Sequence, residues 1–171
     1  MKKPTQITHK DVEAAYERIK PYIKRTELEP IDNNIYIKAE YKQHMKSFKL
    51  RGAANAALRL TKEQKERGIV ARSSGNFAQG LSYIAKELGI QATIVMPEHA
   101  PKVKVNSTKS LGSRVILKGS QHQESQAVVD ELEKSEGLTK MHPYDDKEVI
   151  AGQGTAMIEI CEDLDNITSV R

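Results

Sequence analysis

Two short runs concentrate the residue types that carry chemistry. In Ser47-Phe48-Lys49-Leu50-Arg51-Gly52-Ala53 a lysine stands where a strand-to-helix loop gives way to an Ala-rich helix. The positive end of a helix and a partly desolvated setting both disfavour an ammonium, so a lysine at this junction is a source of the neutral amine that condenses with a carbonyl. Without such context it is a solvated surface residue, since lysine is almost never fully buried. The second run, Ser73-Ser74-Gly75-Asn76-Phe77-Ala78-Gln79-Gly80, offers hydroxyls, an amide and free backbone N–H groups at a helix start, a set that suits a carboxylate or an aromatic hydroxyl. The same residue types are also ordinary turn and N-cap residues.

A third stretch, His142-Pro143-Tyr144-Asp145-Asp146, sets a histidine beside two acids, and Ala151-Gly152-Gln153-Gly154-Thr155 follows it. X-Pro followed by Asp-Asp reads as turn and helix-cap chemistry rather than a metal or proton-relay site. Gly152-Gln153-Gly154 is too short for a dinucleotide fingerprint, which needs three spaced glycines directly after a strand. Cys161 is the single cysteine, so an intramolecular disulfide is impossible, and no metal site is expected.

The elements that must position these runs follow from periodicity. Thr8-His9-Lys10-Asp11 has the form of a helix start, and Val12, Ala15, Tyr16 and Ile19 recur at helical spacing until Pro21. Ile35 to Ala39 reads as a strand after the turn-forming Asp32-Asn33-Asn34, and Gly52 to Leu60 as a helix. Ile69–Ala71, Ala92–Met96 and Arg114–Leu117 read as strands. Between them lie a helix bearing Phe77, Leu81, Ile84, Ala85 and Leu88 that stops at Gly89, and another from Pro101 to Leu111 stopped by Gly112. Ser120-Gln121-His122-Gln123 repeats the capping form ahead of a helix with Val128, Val129 and Leu132 that stops near Gly137. A last helix from Thr155 to Leu164 leads into Ile167-Thr168-Ser169-Val170-Arg171, the start of a strand. Short strands alternating with helices of several turns predict an α/β fold with an open, mainly parallel twisted sheet and flanking helices.

Composition narrows the function classes. The chain has 171 residues, 38% apolar, 29% charged, with 27 basic against 23 acidic side chains. Low hydrophobicity without a high net charge places it among globular rather than disordered chains. The basic surplus sits in residues 1–51, with 12 Lys/Arg against 7 Asp/Glu. Those bases are interleaved with acids and meet few aromatics, which argues against a nucleic-acid surface. The polar start after Met1-Lys2-Lys3 and the lack of any long apolar run predict no signal peptide and no membrane span, and the single thiol suits a reducing cytoplasm.

With these pieces in order, the chain resembles the threonine dehydratase and serine racemase family of pyridoxal-phosphate enzymes, the tryptophan-synthase β-like fold type II. The likeness runs from about Ile7 to Leu164, through Lys38-Ala39-Glu40, Gln43, the SFKLRGAANA block, SSGNFAQG, MPEHAPKVKV and HPYDDKEVIAGQGT. The resemblance implies that Lys49 forms the Schiff base with pyridoxal 5'-phosphate and that Phe48 lies beside it against the cofactor. It implies that Asn76 hydrogen-bonds the pyridine 3′-oxygen and that Ser73, Ser74, Gly75 and Asn76 receive the carboxylate of a small amino-acid substrate. The implied activity is an L-threonine or L-serine ammonia-lyase giving a 2-oxo acid and ammonia. Ser74 stands where family dehydratases often carry Ala and racemases a Ser, which makes serine racemisation the alternative.

Two positions depart from the family pattern: Lys46, where a small residue often precedes S-F-K, and Phe77, where a His is usual after Asn. The resemblance also implies a division into residues 1–51, an N-terminal part of the large domain with the lysine; 52–150, a small α/β domain with the substrate loop; and 151–171, the start of the large-domain return. Family members run to roughly twice this length. The expectation is therefore a truncated chain whose phosphate-binding glycine loop lies past Ile167, inactive alone unless completed by a C-terminal half or an oligomer, with a non-catalytic binding module as the other outcome.

Overall fold

The computed structural model describes residues 6–170; the Met1-Lys2-Lys3 start and Arg171 lie outside them. Helix α1 (His9–Ile19) opens with a capping box in which Thr8 and Asp11 exchange hydrogen bonds, and a 3-10 turn at Lys20–Tyr22 follows it where Pro21 cannot donate to the helical ladder. Strands β1 (Leu28–Asp32) and β2 (Ile35–Lys38) pair antiparallel through a turn at Asn34, whose φ is 59°. The sequence announces only β2. Leu-Glu-Pro-Ile-Asp is poor in strand formers, and pairing with β2 is what makes it a strand.

Helices α2 (Lys49–Leu58) and α3 (Lys62–Arg67) come next, then β3 (Ile69–Arg72), α4 (Asn76–Glu87), β4 (Ala92–Met96), α5 (Lys102–Ser110), β5 (Arg114–Leu117), α6 (His122–Ser135), β6 (Thr139–Lys140) and α7 (Lys147–Asp163). The last four strands form one parallel sheet in the order β5-β4-β3-β6. This is the expected α/β class. Its central strands are almost wholly buried because helices cover both faces. Alternation along β3 and β4 sends Ile69, Ala71, Ile94 and Met96 to the side of α2 and α4, where Leu50, Ala53, Leu81 and Ile84 meet them. Val70 and Val95 face the other way, against Val129 and Leu132 of α6.

Four expectations need correction. Helix α2 starts at Lys49, three residues before Gly52, and ends at Leu58 rather than Leu60. The capping box of α6 falls one residue late, on Gln121 and Glu124, because Glu124 reaches the N–H groups of both Ser120 and Gln121, at 2.6 and 3.2 Å. Helix α7 begins at Lys147, two turns before Thr155, and runs straight through Gly152 and Gly154. Glycine there does not break the helix: a Cβ on Gly152 would lie 2.6 Å from the Arg51 carbonyl oxygen and 2.7 Å from Gly52 Cα, so the glycines let α7 cross α2 in backbone contact. Ile167–Val170 form no strand; β-strand propensity there has no neighbouring strand among the described residues to pair with.

Chain order puts a topological switch at β3. The path steps outward from β3 to β4 to β5, and α6 then returns it to β6 on the opposite side of β3. The loop leaving β3 lies at this reversal of strand order, the place beyond the strand ends where sheets of this class bind ligands.

Candidate active site

The loop after β3 occupies that switch point. Ser73 extends the strand by one bond, donating its N–H to the Val95 carbonyl at 3.1 Å, and its hydroxyl then accepts from the Gly75 N–H at 3.3 Å. Gly75 is the N-cap of α4, and no side chain caps the helix. A Cβ at Gly75 would find nothing within 4 Å, so the loop faces open space with the first N–H groups of α4 behind it. Ser73 and Ser74 are half-buried and Asn76 is exposed at the first position of α4. Asn76 Oδ1 accepts from Lys104 Nζ of α5 at 3.2 Å, and one turn on Gln79 Nε2 donates to Ser107 Oγ at 3.0 Å.

Lys49 is the first residue of α2, with Phe48 as its N-cap. Its side chain is half-buried, its amine sits 4.9 Å from the centre of the exposed Phe48 ring, and no carboxylate among the described residues pairs with it. Gly80 brings the two runs together: a Cβ there would stand 3.1 Å from Leu50 Cα and N and 3.3 Å from the Lys49 carbonyl carbon. Only a residue without a side chain lets the start of α2 lie this close to α4. Asn76 is four residues, about 6 Å along the axis, N-terminal of Gly80 on the same helix.

The approach to Lys49 is held at several points. Gln43 is buried and pairs with the Lys24 backbone in both directions, accepting from its N–H and donating to its carbonyl, each at 2.8 Å. His44 stacks on Tyr83 of α4, ring centres 5.3 Å apart; burial, then the charge of Lys24, holds its imidazole below the ordinary value. Lys46 takes a left-handed backbone with φ of 53°. That conformation explains why a small residue suits this position, and the lysine charge itself is exposed to solvent.

Two residues past Lys49, Arg51 is fully buried and forms the centre of a charge cluster. Its guanidinium donates to Glu159 at 2.8 and 2.8 Å and to Glu40 at 3.0 and 2.7 Å. Lys38 Nζ joins from β2, at 2.7 Å from Glu159 and donating to the Thr26 carbonyl at 2.6 Å. Burial pushes the Glu159 carboxyl upward, but hydrogen bonds from Arg51 and Lys38 outweigh it and hold the group below its ordinary value. Two cations and two carboxylates thus tie β2, the turn after it, α2 and α7 into one unit around the base of the Lys49 helix.

The structure places Lys49 and Asn76 on two helices in backbone contact, with Ser73, Ser74 and Gly75 on the loop leading into the second, and Phe48 under the Lys49 amine. Phe77 points into the core, 3% exposed, rather than toward the loop. His142 is structural: its Nδ1 accepts from the Asp145 and Tyr144 N–H groups at 2.7 and 3.3 Å, and Asp146 caps α7. Among the described residues no group of three or more His, Cys, Asp or Glu is disposed to hold a metal ion, and no helix is long and apolar enough to cross a membrane. Sequence reasoning missed Gly80, Gly52 with Gly152, the Glu159 partner of Arg51, and Lys104. A glycine inside a helical stripe is the signal that could have revealed the first two; Glu159 left none.

Residues 16–170 match the family described as pyridoxal-phosphate dependent enzyme. The chain belongs to that family. It is 49% identical over 168 residues to the L-threonine dehydratase catabolic TdcB of Staphylococcus aureus (strain USA300), covering 94% of this chain and 49% of that protein. Among solved structures, serine racemase from Dictyostelium discoideum superposes with a TM-score of 0.87 at 35% identity, covering 94% of this chain and 55% of that one. Threonine deaminase isoform 2 from Solanum lycopersicum, in its processed form, gives 0.85 at 35% identity, with 96% and 49% covered. The chain spans about half the length of the curated relatives it matches.

Pyridoxal phosphate fits the groups present. An amine without a carboxylate partner suits its aldehyde, an exposed aromatic ring beside that amine suits its pyridine ring, and the Asn76 amide with uncapped N–H groups behind it suits anionic oxygens.

Proposed function

We propose that these residues form part of the active site of a pyridoxal-phosphate-dependent ammonia-lyase that converts L-threonine or L-serine to a 2-oxo acid and ammonia. The observation that carries the reading is the approach at Gly80, which brings the Lys49 end of α2 against the helix that begins at Asn76. In this reading Lys49 holds the cofactor by its aldehyde, Phe48 flanks the ring and Asn76 takes the ring oxygen. The bound cofactor supplies an electron sink for the α-carbon of the amino acid.

The chain's own residues supply placement and proton transfer. Ser73, Ser74, Gly75 and Asn76 bind the substrate carboxylate with hydroxyl, amide and helix-start N–H groups, fixing which bond at the α-carbon faces Lys49. Once the amino group of the substrate has replaced it at the aldehyde, the released Lys49 amine would take the α-proton; no acid among the described residues pairs with it. Residues 52–150 act as the small domain, and residues 1–51 and 151–171 belong to the large one. The rest of such an enzyme is supplied by further chain, by a complementing half or by a second copy, in the cytoplasm.

The test is release of ammonia and 2-oxo acid from L-threonine and L-serine with added pyridoxal phosphate, beside Lys49→Ala. Turnover that survives the substitution removes Lys49 from its role. A second reading, serine racemisation, is favoured by the half-buried Ser74 hydroxyl on the loop and by the likeness to a serine racemase. There Ser74 returns a proton to the face opposite Lys49. D-serine formation lost in Ser74→Ala while ammonia release persists supports it.

A further inference from the structure

Lys104 is a half-buried cation on α5 with no carboxylate partner among the described residues, unlike Lys38, Lys42 or Lys140, each of which is paired with an acid. Among the described residues its one side-chain hydrogen bond is to Asn76 Oδ1, at 3.2 Å. An ammonium has three donors and no acceptor, so it accepts only one orientation of the Asn76 amide, with oxygen toward α5. Nδ2, with no partner among the described residues, is left as a donor. The Gln79–Ser107 bond stands three residues further along both helices, so α5 lies in register with the first turn of α4 and the contact belongs to helix packing rather than to one wandering side chain.

We propose that Lys104 is a positioning residue for Asn76: it fixes the amide so that Nδ2–H is the end offered to the ring oxygen of the cofactor, and its charge makes that N–H a stronger donor. The inference rests on the proposed function, which gives Asn76 a ligand.

The test labels the chain with pyridoxal phosphate, reduces with borohydride, and reads the share of pyridoxyl on Lys49 by peptide mass spectrometry as the cofactor concentration is varied. Lys104→Met keeps the apolar stem and removes the donors; it raises the half-saturating concentration for Lys49 about three- to tenfold. Lys104→Arg restores most of the loss, and in an Asn76→Ala background Lys104→Met makes no further change. In the unloaded chain Lys104→Met shifts the Asn76 side-chain amide resonances, whereas Ser107→Ala, which loosens the same helix contact, leaves them in place. An equal loss with or without the Asn76 amide, or failure of Lys104→Arg to rescue, overturns the inference and leaves the function reading standing. A wild-type chain labelled at Lys49 no more than at its other lysines overturns both.

Discussion

A guanidinium out of reach of water is stable only where carboxylates replace every lost contact, and Arg51 meets that condition through Glu159 and Glu40. Removing Arg51 leaves Glu159 to Lys38 alone, and neutralising Glu159 leaves Arg51 to Glu40 alone, so neither buried charge is then fully compensated. Arg51→Met and Glu159→Gln are each expected to lower unfolding free energy by about 3–5 kcal/mol in denaturant titrations, well above the effect at an exposed pair such as Arg114–Glu136. Lys46 makes the opposite case. With φ of 53° it occupies backbone that costs an L-residue about 1–2 kcal/mol, part of which glycine recovers. Lys46→Gly is expected to raise the unfolding free energy by about 0.5–1 kcal/mol in denaturant titrations. A drop would mean that the lysine side chain contributes more than its backbone costs.

At the scale of elements, glycines decide how closely α2 sits against its neighbours. A methyl on Gly152 would meet backbone atoms of α2 at 2.6 and 2.7 Å, which nothing short of moving a helix relieves, whereas at Gly80 the nearest atoms are 3.1 Å away. Gly152→Ala is therefore expected to cost about 1–3 kcal/mol, and Gly80→Ala less in stability but more in selective reaction of Lys49 with pyridoxal phosphate, because the displaced backbone is that of Lys49 and Leu50. Labelling and denaturation measured on both variants separate the two effects.

The same glycines mark where sequence reading ran out. Apolar runs and stripes located β3, β4, β5 and α4 closely, because their burial pattern is local, and Pro101 with Gly112 bounded α5. Strand β1 depends on a partner, α3 rests on a Thr61–Gln64 capping box with no apolar stripe, and α7 hides two packing glycines that look like breakers. At the site, Lys49 and the Ser73–Asn76 loop were legible from residue type and order. The contacts that bring them together depend on tertiary packing: Gly80 against Leu50 is marked along the chain only by a glycine inside a helical stripe, and Lys104 on Asn76 by nothing.

For the molecule as a whole, the buried charge cluster makes stability depend on pH. Glu159 is held below its ordinary value of 4.5, so folding favours its charged form; the stabilisation is present above that value and is lost as pH falls through the lowered folded value. Denaturant midpoints of wild type and Glu159→Gln are accordingly expected to differ most near neutrality and to converge as pH drops below about 4.5; parallel curves would show that the carboxylate is not what links the elements. In the proposed function one fold unit presents Lys49 to an aldehyde beside the Ser73–Asn76 loop. Its most direct test is reduction of the chain with borohydride in the presence of pyridoxal phosphate, followed by mapping of the modified lysine. A pyridoxyl group concentrated on Lys49 is expected, lost in Lys49→Ala without transfer to Lys46. Label spread evenly over surface lysines, or unchanged in total in Lys49→Ala, would contradict it.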